Sequence, residues 1–151
     1  MARHAHVRPI LLVEDEPDVR DALRLVLEDA GYDVVCAGEG REALARVRES
    51  SPSLILLDLM LPVMDGFEFR VQQMQDPSIA SIPVIVFSCG GDLQEKIAPL
   101  RVAACLRKPV DVDALLELIG VLAKARDPRL REPRRRPIKG GAARRRSSGR
   151  E

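Results

Sequence analysis

The chain has 151 residues, of which 46% are hydrophobic and 31% charged, with three Phe, one Tyr and no Trp. That length suits one domain with an extension and an aliphatic core, and no apolar run approaches the length needed to span a membrane. The formal net charge of +1 hides a split: residues 127–151 hold ten basic and three acidic side chains, about +7, which leaves about −6 on residues 1–126.

Residues 1–6 are too short and polar for a targeting segment. His4 and His6 lack a third ligand nearby and read as a disordered N-terminus rather than a metal site. Val7 to Val13 is an aliphatic strand ending in Glu14-Asp15-Glu16 and then Pro17, which is tolerated in a first helical turn. Val19, Ala22, Leu23, Val26, Leu27 and Ala30 recur at helical spacing up to Gly31, with Leu25 off that stripe. Tyr32 to Ala37 is a short strand, and Arg41 to Glu49 a helix with Ala43, Leu44 and Val47 inward. Leu54 to Leu57 is an aliphatic run fit for a strand buried on both faces, and it delivers Asp58 to its carboxyl end, where Pro62 and Asp65-Gly66 break the chain. Phe67, Val71 and Met74 mark a third helix that closes near Asp76-Pro77. Pro83 to Ser88 is another buried strand. A weak helix around 92–98 is cut by Pro99, Val102 to Leu106 makes a last strand, and Arg107-Lys108-Pro109 leads into a helix from Asp111 to about Lys124.

Strands alternating with helices five times predict an α/β fold with a doubly wound parallel sheet and right-handed crossovers. Such sheets collect ligands beyond the carboxyl ends of their strands. Glu14, Asp15, Asp58 and Ser88 fall at that rim, and Lys108 follows the fifth strand. Asp58 alone reads equally as a strand-end cap; the convergence of four loops favours function.

Two carboxylates ~4–5 Å apart oppose each other by roughly 3–4 kcal/mol at an effective dielectric near 20. One must therefore stay protonated, or a cation must neutralise them. Oxygen-only ligands at an open rim suit Mg²⁺. A carboxylate beside that ion is a candidate nucleophile toward phosphorus, with Ser88 and Lys108 as donors to phosphoryl oxygens. The acidic loop after the first strand argues against a flavin phosphate cradle.

These residues resemble the receiver domain of two-component response regulators. The likeness rests on Ile10 to Glu16, Leu56 to Gly66, Pro83 to Ser88 and Leu106 to Pro109, and covers roughly residues 7–125. It implies a flavodoxin-like five-stranded sheet of order 2-1-3-4-5 with five helices. It further implies that Asp58 accepts a phosphoryl group from a histidine kinase or histidine phosphotransferase, and that Asp15, Asp58 and the Met60 backbone carbonyl hold Mg²⁺, with Glu14 acting through water. Ser88 is then the switch hydroxyl and Lys108 the amine that binds the phosphoryl group, followed by a cis bond to Pro109. The activity is phosphoryl acceptance and release on its own side chain, not turnover of a separate substrate.

Cys105 stands where family members usually carry an aromatic switch residue, so the alternative is a degenerate receiver that works as a binding module without phosphorylation. Met60 and Gly90 occupy the two positions that tune water attack on the acyl phosphate; neither side chain can orient a water, which implies slow self-dephosphorylation.

The odd count of Cys36, Cys89 and Cys105, without metal-type spacing, reads as reduced and mostly buried thiols of a cytoplasmic protein. On the last helix Val112, Leu115, Leu116, Ile119 and Leu122 form the expected inward stripe. Leu118 and Val121 lie at its margins, on a face through which family members dimerise. Leu25 lies where the family meets its phosphodonor. Residues 7–126 are thus the expected domain. Residues 127–151 are expected to be a disordered basic tail, too short for an output domain, whose alternative role is charge-driven binding of nucleic acid, anionic lipid or an acidic partner.

Overall fold

A computed structural model describes residues 8–88 and 93–126. The elements in chain order are β1 (Ile10–Val13), α1 (Pro17–Asp29), β2 (Val34–Ala37), α2 (Gly40–Ser50), β3 (Leu54–Asp58), α3 (Gly66–Gln75), β4 (Val84–Ser88), α4 (Leu93–Ile97), β5 (Ala104–Arg107) and α5 (Val112–Arg126). All strand pairs are parallel, and the sheet order is β2-β1-β3-β4-β5. The aliphatic runs explain this. Strands β1 and β3 are buried along their whole length because helices cover both faces.

Alternation along each strand divides the core in two. Leu11, Val13, Ile55, Leu57, Val84 and Val86 face α2 and α3, where Ala43, Val47 and Phe69 meet them. Ile10, Leu12, Leu54, Leu56, Ile85 and Phe87 face the other way, onto Leu23 and Leu27 of α1 and Leu115 and Ile119 of α5. The sequence registers these helices through local chemistry. Pro17 opens α1, and the Glu39 carboxylate caps α2 by accepting from the N–H groups of Arg41 and Glu42 at 2.8 and 2.7 Å. Asp65 caps α3 through the Glu68 N–H at 2.9 Å.

Several expectations need correction. The α1 stripe is covered only in part: Leu23 and Leu27 are buried, whereas Val19 is 37% exposed and Ala22 is also exposed. On α5, Val112 is exposed rather than inward; Leu115 and Ile119 are buried, Leu116, Leu118 and Leu122 are half-buried, and Val121 is exposed. On α3, Val71 is exposed, and the buried face instead holds Phe69, Arg70 and Gln73. Of the two thiols among the described residues, neither is buried: Cys36 is half-buried and Cys105 exposed. Cys105 lies on an edge strand whose side chains alternate between half-buried and exposed, with no further strand beside it among the described residues. The weak helix is a single α turn that tightens into a 3₁₀ turn (Ala98–Leu100) at Pro99. Residues 1–7, 89–92 and 127–151 lie outside the described residues, and with them His4, His6, Cys89, Gly90 and the basic tail. No helix among the described residues is long and apolar enough to cross a membrane.

Candidate functional site

The carboxyl ends of β1 and β3 and the turn after β5 meet at one rim. Pairing of the Glu14 N–H with the Ala37 carbonyl at 3.0 Å extends the β1 ladder by one residue, so Glu14 is drawn inward and is 1% exposed, while Asp15 faces solvent. Asp58 is the last residue of β3 and is 3% exposed. The loop beyond it is held close: the Gly66 N–H donates to the Leu59 carbonyl at 3.1 Å, and a Cβ at Gly66 would meet the Asp58 carbonyl oxygen at 2.6 Å. Only glycine allows that approach. The Lys108–Pro109 peptide is cis.

Both Asp58 oxygens are engaged. Oδ1 accepts the Met60 N–H at 2.9 Å, and Oδ2 accepts Lys108 Nζ at 2.8 Å. The same Nζ lies 3.5 Å from Glu14 Oε2. One carboxylate oxygen each of Glu14, Asp15 and Asp58 lies within 4.8 Å of the others. Arg20 reaches the same corner, donating through Nη1 to the Glu14 carbonyl at 3.2 Å. Nothing in the sequence pattern singled out Arg20, whose contact is to main chain rather than to a recognisable motif partner.

The electrostatics follow from burial. Loss of water, then the neighbouring Asp58 charge, push the Glu14 carboxyl up from 4.5 to about 7, against the opposing pull of Lys108. For Lys108, burial works against the ammonium, but the hydrogen bond and charge of Asp58, with Glu14 behind them, outweigh it and hold the amine above its usual value. One amine therefore serves two buried acids, and a third acid stands beside them. The donor set is entirely carboxylate oxygen, so it fits a hard, oxygen-seeking divalent cation such as Mg²⁺ rather than a thiolate- or imidazole-loving metal.

Of the residues expected at the site, Glu14, Asp15, Asp58 and Lys108 are brought together. The Met60 main chain touches Asp58, and the Met60 side chain points to solvent at 73% exposure. Ser88 ends β4, in register with Arg107 of β5, and its side chain lies outside the described residues.

A doubly wound parallel sheet that gathers acids and an amine at its carboxyl rim is the flavodoxin-like architecture of a ligand-binding or phosphoryl-handling domain. Residues 10–120 match the family model of the response regulator receiver domain, and the chain belongs to that family. It is 38% identical over 120 residues to the DNA-binding dual master transcriptional regulator RpaA of Synechocystis sp., a match covering 78% of this chain and 50% of RpaA. To Protein PilH of Pseudomonas aeruginosa it is 32% identical over 115 residues, covering 75% of this chain and 95% of PilH. The chain thus spans about half of RpaA but nearly all of PilH. Among solved structures, the chemotaxis response regulator CheY4 of Vibrio cholerae superposes with a TM-score of 0.70 at 28% identity, over 77% of this chain and 98% of that one. A response regulator from Chloroflexus aurantiacus gives 0.71 at 30% identity, over 77% and 97%.

Proposed function

We propose that residues 8–126 form a receiver unit in which Asp58 accepts a phosphoryl group from the phosphohistidine of a histidine kinase or histidine phosphotransferase. The Asp58 carboxylate oxygen bonds to phosphorus as the P–N bond of the donor breaks, and the imidazole leaves with its electron pair and takes up a proton. The observation that carries this reading is the 2.8 Å contact between Lys108 Nζ and Asp58 Oδ2 inside a three-carboxylate cluster. In the resting protein Lys108 neutralises the acceptor; once Asp58 is phosphorylated, the same ammonium is within reach of a phosphoryl oxygen and compensates the added charge of about −1.5 to −2.

Asp15, Asp58 and the Met60 carbonyl would hold Mg²⁺, with Glu14 acting through water. When bound, the ion neutralises the crowded acids and stabilises charge on the transferring phosphoryl group. The Met60 N–H orients the Asp58 carboxylate, and the close approach of Gly66 to the Asp58 main-chain carbonyl holds the loop that follows it. Ser88, at the end of the adjacent strand, would supply the hydroxyl that follows the phosphoryl group. Lys108 directly follows β5, so a shift of its amine onto the phosphoryl group would reach the surface formed by β5 and α5. Val121 and Val112 are exposed there at 65% and 37%, which favours a switched protein–protein contact, including pairing with a second copy.

Incubation with phosphoramidate and Mg²⁺ followed by intact mass tests the reading. A gain of about 80 Da, the mass of one HPO₃, is expected in the parent and not in Asp58→Asn or in excess chelator. No adduct under any condition favours the binding-only reading, for which the exposed Cys105 in place of an aromatic speaks.

A further inference from the structure

Beside the acid cluster, and sharing Glu14 and Lys108 with it, lies a groove of about 600 Å³ whose other walls have no part in the phosphoryl-transfer reading. One wall is the uncovered part of the α1 stripe, Val19 and Ala22 with Leu23 beneath, and the other is Pro109 and Val110 on the turn before α5. Glu16 and Asp18 stand on its rim, both exposed, and neither carboxylate has an ion-pair partner among the described residues. The surface therefore calls for a ligand with an aliphatic group flanked by cations. The chain itself contains such a segment: Ile138 lies between Arg134-Arg135-Arg136-Pro137 and Lys139.

We infer that this groove docks the chain's own basic tail, with Ile138 seated between Val19 and Val110 and with Arg136 and Lys139 beside Glu16 and Asp18. Reach supports this occupant. Helix α5 has 15 residues and starts two residues after Val110, so its end lies about 22 Å from the groove at 1.5 Å per residue. Ile138 is twelve residues past Arg126, a span of about 40 Å when extended and about 19 Å as a root-mean-square coil. The coil length is close to the gap, the condition that gives a tethered ligand its highest effective concentration. Leu130, the tail's other large aliphatic group, is four residues out and extends only about 13 Å, so it falls short. Charge favours the same pairing, about +7 on residues 127–151 facing about −6 on the remainder.

Lys139 is the tail's lone lysine, which makes the contact chemically addressable. The pure full-length protein is treated with a zero-length carbodiimide at low ionic strength, and the monomer fraction is digested and mapped by mass spectrometry. The expected result is an amide from Lys139 to Glu16 or Asp18 that predominates over amides to Glu49 and Glu68, which lie on helices of the opposite face of the sheet. Its yield falls at least ~tenfold in Ile138→Ser, the loss of a buried aliphatic contact, and falls steeply at high salt. Equal yields to all four carboxylates, or an unchanged yield in Ile138→Ser, would overturn the inference. So would the Lys139 amide appearing only in the dimer fraction, which would make a second copy the occupant. The readout involves no phosphoryl transfer, so its failure leaves Asp58 chemistry untouched, and failure of Asp58 to react leaves the docking result standing.

Discussion

Arg70→Met removes the guanidinium that ties α3 to the segment ahead of β5. Arg70 is 5% exposed; its Nε donates to the Leu100 carbonyl at 2.8 Å, Nη2 to the Arg101 carbonyl at 3.0 Å and Nη1 to Gln73 Oε1 at 2.8 Å. Gln73 is fully buried and passes the network on through Nε2 to the Ile79 and Ile82 carbonyls at 3.0 and 3.1 Å. Methionine keeps much of the packing but none of the donors. Arg101 is exposed, so its carbonyl can turn to water, whereas Leu100 and Gln73 are buried and lose a partner outright. Two stranded acceptors cost roughly 1–3 kcal/mol each. Relief of the buried cation, whose pKa burial lowers, offsets part of that. The net loss is about 2–4 kcal/mol, and the melting temperature falls by roughly 8–16 °C for a domain of this size. Urea unfolding followed by far-ultraviolet circular dichroism measures the change, with Arg48→Met as the control, since Arg48 is a surface residue 3.5 Å from Asp76 and should move stability by about 0.5 kcal/mol or less. A loss below about 1 kcal/mol in Arg70→Met at an unchanged denaturant slope would mean that the Leu100 and Gln73 acceptors do not depend on this guanidinium.

Glu14 gives a pH signature. Its carboxyl is raised from 4.5 to about 7 in the fold, so the folded chain holds that proton more tightly than the unfolded chain. The resulting stability is fully present below 4.5 and is lost as pH rises through about 7. A divalent ion replaces the proton, so MgCl₂ should raise the melting temperature more at about pH 8 than at about pH 5.5; an equal or reversed effect would contradict this. Lys108→Ala should slow phosphorylation of Asp58 by about 10²–10³, the loss of one charged donor to the transferring group, and a time course of intact mass at the parent rate would count against that role. The aspartyl phosphate should persist for minutes or longer at neutral pH, because Met60 offers no group to orient a water; loss within seconds would show another route to hydrolysis.

Much of this molecule is legible in its sequence. Ile10–Val13, Leu54–Asp58 and Val84–Ser88 are short apolar runs with no polar alternation before their last residues, and their length and flanking turn residues fit a sheet covered on both faces. Their polar ends then mark the rim, which is why Glu14, Asp15, Asp58 and Lys108 could be named. The strand order came from the family resemblance, since periodicity says which residues are strands and not which strands are neighbours. What stayed hidden were partnerships across long separations. Arg70 and Gln73 look like surface residues on a helix, and they are buried because carbonyls up to 31 residues away need their donors. Val19, Ala22 and Val112 obey helical spacing, yet no element among the described residues covers them. Spacing defines a stripe; the length and placement of neighbouring elements decide how much of it is buried.

Borohydride trapping shows which side chain carries the phosphoryl group, and Asp58 is the one expected. The reagent reduces an acyl phosphate to the alcohol, so after phosphoramidate and Mg²⁺ the peptide carrying Asp58 alone should lose about 14 Da, the change from a carboxyl to a hydroxymethyl group. Reduction mapped to Asp15 or Glu14 in place of Asp58, or a stable phosphate found on a hydroxyl side chain, would contradict it.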